Sequence, residues 1–140
     1  MHNCTHIILI AEDDPDDQEL ITYAFSKVDP SLKLYIVNDG KEALDYLLHA
    51  SDNVLPCVIV LDYNMPEMNG AQVLQQISPD KRFEKIPKVI FSTSSNPIYI
   101  KDSMQKGADA YHVKPDGFEA LLGIAKEMAA LCYKAAWRIS

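Results

Sequence analysis

The decisive stretch is Ile7-Ile8-Leu9-Ile10-Ala11-Glu12-Asp13-Asp14-Pro15, five apolar residues that run without a spacer into three carboxylates and a proline. A second stretch repeats the pattern, with Cys57-Val58-Ile59-Val60-Leu61 running straight into Asp62. Short, largely β-branched runs of this kind read as strands buried on both faces. Two such strands side by side bring their terminal acids together at one edge of a sheet. Like charges so placed are unfavourable unless a cation sits between them. For hard oxygen donors the natural guest is a hard divalent cation, most simply Mg2+.

Outward from these two stretches, strand-like runs alternate with helical patterns. The strand runs are Ile7–Ala11, Lys33–Val37, Cys57–Leu61, Lys88–Ser92 and Ala110–Val113. The alternation predicts an α/β domain of the (βα)5 kind, a five-stranded parallel sheet, doubly wound through right-handed crossovers into three α/β/α layers. The first helix begins with Asp14 as N-cap, Pro15 at its first position and Asp16, Asp17 and Glu19 in its opening turns, with Leu20, Tyr23, Ala24 and Phe25 facing inward. The second opens at Asp39-Gly40-Lys41-Glu42, which reads as a capping box, and buries Ala43, Leu44, Leu47 and Leu48. A third runs from near Gly70 to just before Ser78-Pro79, and the segment from Pro79 to Pro87 reads as a charged surface connection. The fourth follows Asn96-Pro97 and stops at Gly107. The last, from Gly117, carries Leu121, Ile124, Met128, Leu131 and Cys132 toward Trp137.

Composition sets the bounds. A chain of 140 residues with 48% hydrophobic content suits one domain over residues 1–140, with a core of about 6–135. A net charge of -7 without a basic stripe argues against nucleic acid or an anionic membrane as partner. The N-terminal apolar run is too short for a membrane span and lacks the positive flank of a signal peptide, so the expected location is cytoplasmic. Cys4, Cys57 and Cys132 are odd in number and widely spaced, fitting neither a disulfide framework nor a zinc site, and Cys57 and Cys132 read as packing residues. His2 and His6 belong to a terminal lead-in, and His49 and His112 read as surface or structural residues.

In a doubly wound sheet, ligands bind beyond the carboxyl ends of the strands, where the winding reverses. Glu12 and Asp13 end the first strand, Asp62 the third, Ser92 and Thr93 the fourth, and Lys114-Pro115 the fifth. Four strands thus deliver polar groups to one rim. At these residues the chain resembles the receiver domains of bacterial two-component response regulators. The string Asp62-Tyr63-Asn64-Met65-Pro66-Glu67-Met68-Asn69-Gly70 matches the family's D-x-x-M-P-x-x-x-G segment, and Lys106-Gly107-Ala108-Asp109-Ala110-Tyr111 matches its stretch before the fifth strand. The resemblance covers nearly the whole chain.

It implies a flavodoxin-like fold and a stand-alone regulator that accepts a phosphoryl group on Asp62 from a histidine kinase or a histidine phosphotransfer protein. It implies Mg2+ bound by Asp13, Asp62 and the backbone carbonyl of Asn64, with Glu12 acting through water. Lys114 would pair with Asp62 and then with the phosphoryl group. Ser92, chosen over Thr93 by the family's spacing from Lys114, would bond a phosphoryl oxygen, and Tyr111 would be the switch aromatic. Lys114-Pro115 is a cis peptide in the family. Signal would leave through a downstream protein partner at the surface of the fourth strand, fourth helix and fifth strand, with Ile98, Tyr99 and Trp137 as candidates. The segments Pro15-Asp16-Asp17 and Asn38 to Leu47 look like the phytochrome-associated subgroup, which suggests a homodimer.

Independent chemistry agrees, because one divalent cation and Lys114 balance the three charges of Glu12, Asp13 and Asp62, and phosphoryl transfer mainly requires such neutralisation and an in-line nucleophile. Other classes fit less well. A Mg2+-dependent phosphohydrolase with an aspartyl nucleophile needs a second Asp two residues on, and Asn64 stands there. A degenerate receiver would have lost Asp13, Asp62 or Lys114. An FMN site would set phosphate against Glu12-Asp13-Asp14.

Overall fold

Five strands pair in the order β2-β1-β3-β4-β5, all parallel, in a computed structural model that describes residues 6–139, with side chains through Lys134. The strands are β1 (Ile7–Ala11), β2 (Lys33–Val37), β3 (Val58–Leu61), β4 (Lys88–Ser92) and β5 (Ala110–Val113). They alternate with α1 (Pro15–Val28), α2 (Gly40–His49), α3 (Gly70–Ile77), α4 (Pro97–Gln105) and α5 (Phe118–Ile139). The chain steps outward from β1 to β2 and then crosses back to β3, so the winding reverses between β1 and β3. Ala11 and Leu61 are register partners at that crevice.

Alternate residues of each strand face opposite layers. Leu9, Ala11, Ile59 and Leu61 pack against Ala43 and Leu47 of α2 and Val73, Leu74 and Ile77 of α3. Ile8, Ile10, Val58 and Val60 pack against Ile21, Ala24 and Phe25 of α1 and Ala125 and Met128 of α5. Each such fully buried Leu, Ile, Val, Phe or Met side chain stabilises the fold by roughly 1.5–3 kcal/mol.

The structure corrects several expectations. On α1 the inward residue is Ile21, beside Ala24 and Phe25, whereas Leu20 and Tyr23 are about half exposed. The helix starts where expected, with Asp14 accepting from the N–H of Asp16 and of Asp17, so it is the seating of α1 on the sheet and α5 that turns Ile21 inward and Tyr23 toward Phe118 at the edge of α5. On α2 Leu48 is likewise exposed. Asp39 does accept from the N–H of Glu42, but the Glu42 carboxylate takes the N–H of Asn38 at 2.8 Å instead of closing a box on Asp39. The reciprocal box occurs at α3, between Asn69 and Gln72.

The Pro79-to-Pro87 connection is not merely a charged surface. Phe83 and Ile86 are buried there, and Arg82 donates to the carbonyls of Leu47 and Ala50 at the end of α2. Those carbonyls lack helical partners of their own, which is why a cation is useful at that point.

Cys57 and Cys132 are joined by a disulfide across 75 residues of sequence, with their Cα atoms 4.8 Å apart. Sequence spacing could not reveal the pair, because it forms only where the start of β3 meets the far half of α5. The Lys114-Pro115 bond is trans. Gly107 does end α4 in the left-handed region, with φ of 115°. His2, Cys4 and the Trp137 side chain lie outside the described residues.

Candidate functional site

The strand ladders extend one residue past each strand and thereby fix the site. Glu12 N–H donates to Val37 C=O at 3.0 Å, Asp62 N–H to Ala11 C=O at 3.0 Å, and Lys114 N–H to Ser92 C=O at 2.7 Å. Backbone pairing with a neighbouring strand therefore holds all three residues at one rim. Glu12 and Asp62 are buried, with 3% and 6% of their surface exposed, and Asp13 is exposed beside them.

Lys114 is the centre of the charge arrangement. Its ammonium donates to Glu12 Oε1 at 2.5 Å, to Asp17 Oδ2 at 2.9 Å and to Asp62 Oδ2 at 3.0 Å. Burial disfavours the ammonium, but hydrogen bonds to Glu12, Asp17 and Asp62 outweigh it and hold the pKa above the ordinary lysine value. Burial also acts on Glu12, raising its pKa to about 7 despite the bonds from Lys114 and the Asp14 N–H.

Carboxylate oxygens of Glu12, Asp13 and Asp62 lie within 4.8 Å of one another. Three hard oxygen donors at that spacing fit a hard divalent cation, which would relieve the mutual repulsion and the cost of burying Glu12. Asn64 is exposed, and its N–H donates to Asp62 Oδ1 at 3.2 Å.

Ser92 is fully buried at the end of β4, whereas Thr93 is exposed. The Ser92 hydroxyl accepts from the Ser94 N–H at 3.2 Å, and Tyr111 O–H donates to Ser94 C=O at 2.7 Å. Ser92 of β4 and Tyr111 of β5 are thus both bonded to Ser94, with the half-buried Tyr111 ring packed toward the α2–α3 layer.

Three features escaped the sequence reading. Asp17 reads as a helix-dipole acid but bonds Lys114. Gln18 pins the same turn by donating to Glu12 C=O at 2.5 Å and Asn38 Oδ1 at 3.0 Å. Tyr63, next to Asp62, stacks on Tyr99 with ring centroids 4.5 Å apart and donates to Asp102 at 2.9 Å. Burial and the Asp102 carboxylate push the Tyr63 phenol up to about 12, so it stays a donor. Of the expected partner-facing residues, Ile98 is 72% exposed, and Tyr99 is partly covered by this stack.

A parallel doubly wound sheet whose rim gathers an acid cluster, a lysine and a serine defines a receiver-type signalling domain, and residues 8–126 match the family model of the response regulator receiver domain. The chain belongs to that family. It is 34% identical over 124 residues to the probable methanogenesis regulatory protein FilR2 of Methanothrix harundinacea, covering 87% of this chain and 80% of that one. Among solved structures it is similar to the phosphorylated cyanobacterial phytochrome response regulator RcpA, with a TM-score of 0.80, 29% identity and 95% of each chain covered. It is also similar to the Mn(2+)-bound form of response regulator Rcp1, with a TM-score of 0.76 and 25% identity over 89% of this chain and 91% of that one. Among the described residues no helix is long and apolar enough to cross a membrane.

Proposed function

We propose that this chain accepts a phosphoryl group on Asp62 from a histidine kinase or a histidine phosphotransfer protein and signals through altered contacts with a downstream protein. The observation that carries this reading is the Lys114 ammonium 3.0 Å from Asp62 Oδ2, at the edge of the three-acid cluster. A nucleophile and a cation that can follow it through the reaction stand side by side.

Asp13, Asp62 and the Asn64 carbonyl, with Glu12 through water, would hold Mg2+, which when bound neutralises charge on the phosphoryl oxygens. The Mn(2+)-bound form of Rcp1 supports a divalent ion here. A carboxylate oxygen of Asp62 attacks phosphorus, and the new O–P bond forms as the P–N bond of the phosphohistidine breaks. The electron pair leaves on the imidazole nitrogen, which takes a proton from solvent. Lys114 shifts one N–H from Asp62 to a phosphoryl oxygen. Ser92 donates its hydroxyl to another, leaving its present contact with the Ser94 N–H. The Tyr111 bond to Ser94 C=O couples that movement to the surface of β5.

The test is intact-protein mass after incubation with a small phosphodonor, with Mg2+ present or chelated. The expected result is a Mg2+-dependent, base-labile gain of one phosphoryl group that Asp62→Asn lacks. A gain retained by Asp62→Asn, or none in the wild type with Mg2+, would overturn the reading.

A further inference from the structure

We infer that Asp17 is a positioning residue for the phosphoryl-transfer site, acting through Lys114 by holding its ammonium in place while the other two carboxylates change partners. The inference rests on the reading in which Lys114 serves the phosphoryl group on Asp62.

An ammonium has three N–H donors, and here all three are taken, by Glu12, Asp17 and Asp62. The Lys114 side chain is only 9% exposed, so little solvent is at hand to replace a lost partner. Two of the three acceptors have other duties. Asp62 Oδ2 belongs to the carboxylate that is phosphorylated, which frees one N–H for a phosphoryl oxygen. Glu12 belongs to the cluster suited to a divalent cation. Asp17 stands outside that cluster, on the first turn of α1, and alone keeps its acceptor free for Lys114 throughout. A flexible four-carbon stem needs such a fixed point if its free N–H is to aim reproducibly at the reacting group.

Helix capping does not account for the contact. Asp14 already accepts from the first-turn N–H groups, and Asp16 offers the dipole a charge from an exposed position on the same turn. Neither task requires Asp17 to meet a lysine at the end of β5. Asp16 therefore serves as the internal control.

The experiment uses the full chain, Mg2+ and acetyl phosphate over a range of concentrations, following the rate of phosphoryl gain by intact mass. Wild type, Asp17→Ala, Asp17→Asn and Asp16→Ala are compared, and the Mg2+ Kd of each is measured by calorimetry. Asp17→Ala is expected to lower the maximal first-order rate by roughly tenfold, as loss of one charge-assisted hydrogen bond implies. The half-saturating donor concentration and the Mg2+ Kd stay at wild-type values. Asp17→Asn, which keeps a carbonyl acceptor, recovers most of the rate, and Asp16→Ala matches wild type. A wild-type or faster rate in Asp17→Ala, an equal loss in Asp16→Ala, or a Mg2+ Kd shifted by the same factor as the rate would each overturn the role of Asp17 while leaving Asp62 as acceptor. A wild type that gains no phosphoryl group would remove the underlying reading itself.

Discussion

Gly70 touches the backbone of Asp62 so closely that a Cβ on it would lie 2.6 Å from the Asp62 carbonyl oxygen and 2.9 Å from Ile90 Cδ1. The Gly70 N–H also donates to Tyr63 C=O at 3.1 Å, so the start of α3 is fastened to the end of β3. The glycine thus serves close approach of backbone to backbone at Asp62. Gly70→Ala is expected to destabilise the protein by about 1–3 kcal/mol, the usual cost of overpacking, and to slow phosphorylation because Asp62 must shift. Urea unfolding and the mass assay together check this, and a variant with the wild-type midpoint and rate would contradict it.

Glu12 gives a pH dependence with a definite sign. Burial raises its pKa from 4.5 to about 7 in the folded protein without metal. A carboxylate shifted upward contributes stability that is fully present below 4.5 and is lost as pH rises through about 7. Metal-free protein should therefore lose stability across that window, and Glu12→Gln should flatten the slope. Urea midpoints in chelator across the window measure it. Mg2+ competes with the same proton, so its apparent affinity should climb with pH over the same range.

Lys88 is a second buried cation, far from the rim. Its ammonium donates to the carbonyls of Phe83 and Ile86 at 2.7 and 2.8 Å, and burial holds its pKa below the ordinary lysine value. Lys88→Met leaves those carbonyls without the donor, at an expected cost of about 1–3 kcal/mol. Denaturant unfolding measures the loss, while Mg2+ binding, at the opposite end of the sheet, should not change.

The Cys57–Cys132 disulfide closes a long loop by tying α5 to the start of β3. Reduction should lower stability by about 2–4 kcal/mol, mainly through the freed unfolded chain. Unfolding with and without reductant, with thiols counted before and after, is the check. Equal midpoints would show that packing of Cys132 alone holds the helix.

The acids, serine and lysine of the rim were legible because each directly follows a short apolar run, and parallel strands deliver their C-terminal residues to one edge. Tyr23 and Leu20 lie off the expected inner face, since periodicity defines an apolar stripe only to within a residue when both flanks carry apolar side chains. The burial of Phe83 and Ile86 left no periodic signal, because both sit among charges in a segment too short to show any period.

Local order along the chain was thus enough to establish five parallel strands, the residues at their ends and the helix starts at Asp14 and Asp39, because strand burial, helix starts and turn glycines depend on neighbours in sequence. Tertiary packing alone decided that Asp17 reaches Lys114, that Arg82 closes the end of α2, that Tyr63 stacks on Tyr99 and that Cys57 meets Cys132. Each of those contacts joins elements that are separate in the chain. Its existence depends on distances of a few ångströms set by how helices seat on the sheet, and no spacing of residue types encodes those distances.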